Sequence, residues 1–318
     1  MVRLLTLFLL LCIFISSAAW SAEKYDRARV LLEKMSRSIH ELNYRGLFTY
    51  EVGGALDNYK IIHQIQNNIE YERLQKLNGG EKEILRSGFS IDCLNRGDQF
   101  FRGVSFDVGP QLNSPAKYLY HLTGKGRVAG RDTLTVQVLP KDSHRYGYVF
   151  SIDEITFLPL QVLMIDSSKK ILERVQYVDI EVGILIDETE LLPRSASYTS
   201  LKNTREECDN TKPEDKSVIE DINQPWTVAW IPSGFTFLSA RKTRSDDSIL
   251  TYTDGLSSFS VVVGSNKLFP VVEGRAQRGG TVAFVKQYKK DQSLFSITVL
   301  GEIPMATARK IAEKVKKR

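Results

Sequence analysis

What most constrains the fold of this chain is the rhythm of its turn formers. Asp57-Asn58, Asn67-Asn68, Gly79-Gly80, Ser87-Gly88 and Gly97-Asp98 recur about ten residues apart, and Phe48, Tyr50 and Val52 alternate just before them. Turn residues at that spacing, separated by alternating apolar positions, mark short strands. A second series runs through Thr133 to Leu139, Arg145 to Asp153, Leu160 to Asp166 and Ile171 to Ile180, broken at Pro140-Lys141-Asp142, Leu158-Pro159 and Asp166-Ser167. Parallel strands need crossovers of a dozen or more residues, usually helical. None separates these segments, so the sheet is expected to be antiparallel and the class α+β, mainly antiparallel β.

Helices are expected to cover that sheet. Ala28, Leu31, Leu32, Met35, Ile39 and Leu42 fall three or four apart and predict an amphipathic helix from about Tyr25 to Leu42. The stretch Gly109 to Lys125, with Pro110, Pro115 and the cluster Tyr118, Leu119, Tyr120 and Leu122, reads as a short helix and loop. A sheet packed by helices on one face and rich in large apolar residues can curl into an open half-barrel that holds a lipid-like ligand. Phe48, Tyr50, Ile61, Tyr148 and Phe150 are the candidates for lining such an interior; the competing reading of the same residues is a filled core.

The beginning of the chain bears on its compartment. Arg3 precedes an apolar run from Leu4 to Ile15, followed by Ser16, Ser17, Ala18 and Ala19, the pattern of a secretory signal peptide. The run is shorter than the roughly 20 apolar residues needed to cross a bilayer core. Cleavage is expected after Ala19, with Ala22 as the alternative, which places the protein outside the cytoplasm. Cys12 lies inside the run behind bulky Leu11, not where a lipidated cysteine stands. Residues 23–186 then form the N-terminal domain, 187–225 a connection containing the polar stretch Asn203 to Lys216, and 226–318 a smaller C-terminal domain. In the latter, strands are expected at Trp226 to Trp230, Phe235 to Arg241, Ile249 to Thr253, Leu256 to Val263, Thr281 to Tyr288 and Leu294 to Gly301. Asp254-Gly255 reads as a two-residue hairpin turn. Met305, Ala308, Ile311, Ala312 and Val315 form the stripe of a final helix that starts at Pro304.

The C-terminal domain is the basic one, with 15 Lys/Arg against 7 Asp/Glu. That surplus suits an acidic peptide or lipid phosphates, and export excludes nucleic acid; the same lysines also serve to solvate a surface. Cys93 and Cys208 survive processing and either pair as a disulfide, which the compartment permits, or remain buried thiols. An enzyme needs a nucleophile, a base or a metal cage. His40, His63, His121 and His144 are scattered, with no H-E-x-x-H, C-x-x-C or G-x-S-x-G, so neither a metal nor any cofactor is expected. Gly124, Gly126 and Gly130 do not open a helix and are turn glycines, not a phosphate loop. A binding protein is the expectation. Its docking candidates are Trp230, Phe235, Tyr252, Leu256 and Phe259 with Arg241, Arg275 and Arg278, because aromatics and arginines dominate binding hot spots.

Several segments share a family's pattern. Glu72-Arg-Leu74, Arg127-Val-Ala-Gly-Arg131, Arg145-Tyr-Gly-Tyr148, Asp153, Leu158-Pro-Leu160 and Leu172-Glu173 resemble the N-terminal domain of MucB/RseB regulators. Trp230-Ile-Pro-Ser-Gly-Phe235, Tyr252-Thr-Asp-Gly-Leu256, Phe259-Ser-Val261 and Val299-Leu-Gly-Glu-Ile-Pro304 resemble the second domain. The resemblance implies an open half-barrel similar to lipoprotein carriers of the LolA/LppX kind, joined to a sheet-and-helix domain. It also implies binding to the periplasmic segment of a single-span anti-sigma factor of the RseA/MucA type, which protects that segment from proteolysis until lipopolysaccharide or another lipid displaces it. The alternative function is a periplasmic carrier of lipoproteins or lipids, and a homodimer stays open.

Overall fold

The computed structural model describes residues 27–90, 117–195, 198–202, 225–243, 246–265, 272–290 and 293–318; the expected signal segment, Cys93 and Cys208 lie outside the described residues. Helix α1 spans residues 27–41. Ala28, Leu31, Leu32 and Met35 are buried along one stripe, while Arg29 and Glu33 stand one turn apart on the outer side. No helix among the described residues is long and apolar enough to cross a membrane.

The N-terminal sheet has ten strands: β1 (Tyr44–Val52), β2 (Ala55–Gln66), β3 (Ile69–Lys76), β4 (Glu83–Ser90), β5 (Tyr118–Val128), β6 (Arg131–Pro140), β7 (Gly147–Asp153), β8 (Pro159–Ile165), β9 (Ile171–Val182) and β10 (Tyr198–Lys202). Their order is β10-β4-β3-β2-β1-β9-β8-β7-β6-β5, antiparallel throughout except that β10 runs parallel to β4. Strands about 4.8 Å apart would spread such a sheet over roughly 43 Å if it were flat, several times the width of one helix. Yet Ile39 of α1 packs against two apolar clusters, one built on β5–β8 and the other largely on β1–β3, β8 and β9. The sheet therefore curls around α1 as an open half-barrel with β5 and β10 as its edges.

Two expectations change here. Tyr118 to Leu122, read as helical, is the start of β5: Tyr118 and Tyr120 are buried while Leu119 and His121 are exposed, the period of two of a strand. Four apolar residues in five positions concealed that alternation. Part of the expected connection also belongs to the sheet. A 3-10 turn at Glu188–Leu191 is capped by Asp187, and its strap crosses the outer face of β2–β4: Gln64 donates to the Ile186 carbonyl at 3.1 Å. Glu83, paired with buried Arg73, accepts from the Arg194 and Ser195 amides at 2.9 and 2.7 Å. The chain then enters β10.

The C-terminal sheet comprises β12 (Thr236–Lys242), β13 (Ser248–Thr253), β14 (Ser258–Ser265), β15 (Gly274–Arg278), β16 (Thr281–Lys290) and β17 (Ser293–Gly301) in the order β12-β13-β14-β17-β16-β15, after a short β11 (Trp226–Val228). Helix α2 (Met305–Glu313) buries Ala308, Ile311 and Ala312 against one face of this sheet. Val315, expected on the helical stripe, lies instead in β18 (Val315–Lys317), which pairs with β11 and returns the chain end to the start of the domain. Val315 is apolar and buried in either setting, so the stripe alone could not place it.

Candidate functional site

The two sheets meet through loops, and a buried network of hydrogen bonds joins them. Arg145, on the connection between β6 and β7, is 2% exposed. Its Nε donates to Asp254 Oδ2 at 2.5 Å, its Nη2 to the Ser233 carbonyl at 2.6 Å, and its Nη1 to Asp142. The guanidinium also lies 4.7 Å from the Phe235 ring centre. Tyr118 donates to Asp254 Oδ2 at 2.9 Å. Burial first, and then the Asp254 charge, hold the Tyr118 phenol far above its ordinary range. Asp254 does not sit in a two-residue turn: Thr253 pairs with Ser258, and across the four-residue loop Asp254 Oδ1 accepts from the Leu256 and Ser257 amides at 3.0 and 2.8 Å. Its other oxygen is thereby aimed at the N-terminal domain.

Further contacts flank this pair. Tyr146 donates to the Ile303 carbonyl at 3.2 Å, and His144 bonds Thr307 Oγ1 of α2 at 3.0 Å. Trp230 stands edge-on to His144, with Lys310 3.8 Å above its ring. At a second point the β15–β16 turn enters the N-terminal domain. Gly280 N donates to Glu173 Oε1 at 2.8 Å and Tyr50 to Glu173 Oε2 at 2.7 Å. Burial raises the Glu173 pKa, and these hydrogen bonds and the Arg278 charge only partly offset it. A Cβ on Gly280 would lie 2.1 Å from Met164 Sδ. Gly279, at φ +58°, has no room either: its Cβ would meet Glu173 Oε1 and Val52 at 2.6 Å.

The expected docking residues divide. Phe235, Tyr252 and Phe259 are 4%, 8% and 1% exposed and pack ring on ring, with Tyr252 and Phe259 stacked at 5.1 Å; they form the core of the C-terminal domain and offer a partner no surface. Trp230 and Leu256 are half-buried at the junction. Arg241, Arg275 and Arg278 are exposed. The five proposed lining residues do share one face. Phe48 pairs with Tyr59 and Tyr177, Tyr50 with Val175, Gly46 with Ile61, Val162 with Phe150, and Tyr148 with Met164 opposite Glu173. All five lie on the face that α1 covers. Phe48, Ile61, Tyr148 and Phe150 are buried there, and Tyr50 is half-buried at the Glu173 contact.

The same face holds a buried ionic cluster beneath the end of α1. Glu70 accepts from His63 Nε2 at 2.9 Å, His40 Nδ1 at 3.2 Å and Arg86 Nη2 at 3.3 Å. Burial pushes its pKa up, but these partners outweigh burial and hold it well below the carboxylate range. His63, Glu70 and Glu72 bring ligand atoms within 4.8 Å of one another. With the Arg86 guanidinium already balancing Glu70, the cluster serves to clasp α1 through His40. Arg145, Asp254, Glu173 and the two glycines were absent from the expected site; a carboxylate at Glu173, on the inward-facing parity of an apolar strand, was the one local signal.

Together these features define a two-domain binding scaffold, a curved sheet wrapped on a helix with a smaller sheet docked against it through its loops. Family models described as the MucB/RseB N-terminal domain and C-terminal domain match residues 27–195 and 220–316, and the chain belongs to the MucB/RseB family. It is 29% identical over 295 residues to the sigma factor AlgU regulatory protein MucB of Pseudomonas aeruginosa, covering 90% of this chain and 89% of that one. It is 28% identical over 321 residues to the sigma-E factor regulatory protein RseB of Haemophilus influenzae, covering 96% of each. A crystal structure of MucB in complex with MucA(peri) superposes with a TM-score of 0.71 at 27% identity, covering 92% of this chain and 99% of the other.

Proposed function

We propose that this chain is a periplasmic regulator of envelope-stress signalling that binds the periplasmic segment of a membrane-anchored anti-sigma factor and shields it from proteolysis, without catalysing a reaction. One observation carries the reading: both domains align along almost their whole length with a MucB solved in complex with MucA(peri). The basic surplus of the C-terminal domain supports an acidic segment as the partner. Arg241, Arg275 and Arg278, with the half-buried Trp230 and Leu256, are the residues proposed to meet it. Phe48, Tyr50, Ile61, Tyr148 and Phe150 mark the face on which lipopolysaccharide or another lipid would bind. A lipid can release the partner only by preferring the unbound protein over the complex.

The test is a pull-down from a periplasm and membrane extract with the mature protein as bait, with and without lipopolysaccharide, read by mass spectrometry. Recovery of a single-span anti-sigma protein that lipopolysaccharide displaces is the expected result. Recovery of lipoproteins or lipid alone would replace this reading with that of a carrier.

A further inference from the structure

We infer that the open edge of β15 is where an extended, acidic segment of the anti-sigma partner adds a strand to the C-terminal sheet; the inference rests on the function proposed above and names the site for it. The two larger sheets end in four edges among the described residues: β10, β5, β12 and β15. An edge strand is a template for another chain; a bulge or proline blocks pairing, and charges on the edge restrict which strand can pair. β5 carries a bulge between Leu122 and Gly124 and β12 one between Phe237 and Ser239; β10, a five-residue strand like β15, belongs to the N-terminal sheet and not to the basic domain. β15 pairs with β16 in unbroken register from Gly274 to Arg278, has no proline, and all five of its residues are exposed.

The direction of its free polar groups follows from the turn. In a hairpin closed by two residues, the flanking pair exchanges both hydrogen bonds. Arg278 and Thr281 are that pair here, so positions 276 and 274 also point toward β16. The N–H and C=O groups of Arg275 and Gln277 then point outward. The side chains of this edge are basic. Among the described residues neither Arg275 nor Arg278 has a carboxylate within 4.0 Å, although the Arg278 charge lies near enough to Glu173 to lower its pKa. The nearest acid in sequence, Glu273, turns inward to accept from the Gln287 amide at 2.7 Å. An edge with outward amides and two exposed arginines disfavours a second copy of itself and accepts an acidic strand, with main-chain bonds supplying affinity and the arginines selecting charge. Its far end is fixed, because the Gly279-Gly280 turn is seated on Glu173, so little order has to be gained on binding.

The experiment uses the full mature chain with the periplasmic segment of MucA as the probe, read by amide hydrogen exchange and by titration. The segment is expected to bind and to slow exchange at the Arg275 and Gln277 amides. Gln277→Pro, which removes an outward N–H while leaving the β15–β16 ladder, is expected to weaken binding roughly tenfold or more at unchanged melting temperature. Gln277→Ala, which keeps the N–H, is expected to retain affinity, and Arg275→Glu to lose it. Binding that leaves both amides unprotected and is indifferent to Gln277→Pro would overturn the edge as the site while the proposed function stands. No binding by the unmutated chain would overturn both.

Discussion

Replacing Asp254 with alanine asks whether the domain junction is held by its buried charges. The Arg145 and Asp254 side chains are 0% and 1% exposed. Removing one member of such a pair strands the other as an uncompensated charge, at about 3–5 kcal/mol. Two features adjust that figure in opposite directions. Asp142, 31% exposed, stays beside Arg145 and retains part of the compensation. Tyr118 and the amides of Leu256 and Ser257 lose their acceptor, at about 1 kcal/mol each where they stay buried. The expected loss is therefore about 4 kcal/mol, read from urea unfolding followed by Trp226 and Trp230 fluorescence. The charge argument makes a sharper demand of the double mutant. Arg145→Met with Asp254→Leu removes both charges and keeps apolar volume, so it is expected to be more stable than either single mutant. A single-mutant loss below about 1 kcal/mol, or a double mutant as unstable as the two losses added, would refute the reasoning.

Three further outcomes are expected. Because the Glu173 pKa is raised in the folded protein, its contribution to stability is full below the ordinary carboxylate range near 4.5 and is lost as pH rises through the raised value; Glu173→Gln should flatten that part of the pH–stability profile and melt no lower than the parent at pH 7. Gly280→Ala should cost about 1–3 kcal/mol by overpacking against Met164, and that cost should shrink when it is measured in a Met164→Ala background, as differential scanning calorimetry would show. Phe259→Ala should cost about 3–5 kcal/mol and reduce partner binding only to the extent that the C-terminal domain unfolds; a stably folded variant with lost binding would return Phe259 to the docking surface.

The sheet's antiparallel character, α1 and most strand positions were legible because each rests on local regularities: turn residues, alternation, a three-four apolar stripe. The misreadings came where two local patterns coincide. Tyr118 to Leu122 is apolar at four of five positions and so fits helix or strand, and Val315 is a buried residue that serves either a helix or a closing strand. The aromatics of the C-terminal domain failed differently. Phe235, Tyr252 and Phe259 have the composition of a hot spot, but composition does not distinguish a core from an interface. The junction was out of reach because its partners are remote: 109 residues separate Arg145 from Asp254, and 107 separate Glu173 from Gly280. Asp254 shows why such a site hides. One carboxylate oxygen orders the β13–β14 loop, which is all that an aspartate beside a glycine needs to account for its presence in the sequence. The other oxygen receives Arg145 and Tyr118 from the opposite domain. A residue fully explained by its neighbours in sequence thus gives no cue to a second, distant role, and only the fold, by bringing to the same point a buried arginine whose one sequence-near partner, Asp142, is 31% exposed, reveals that the turn exists to present a charge.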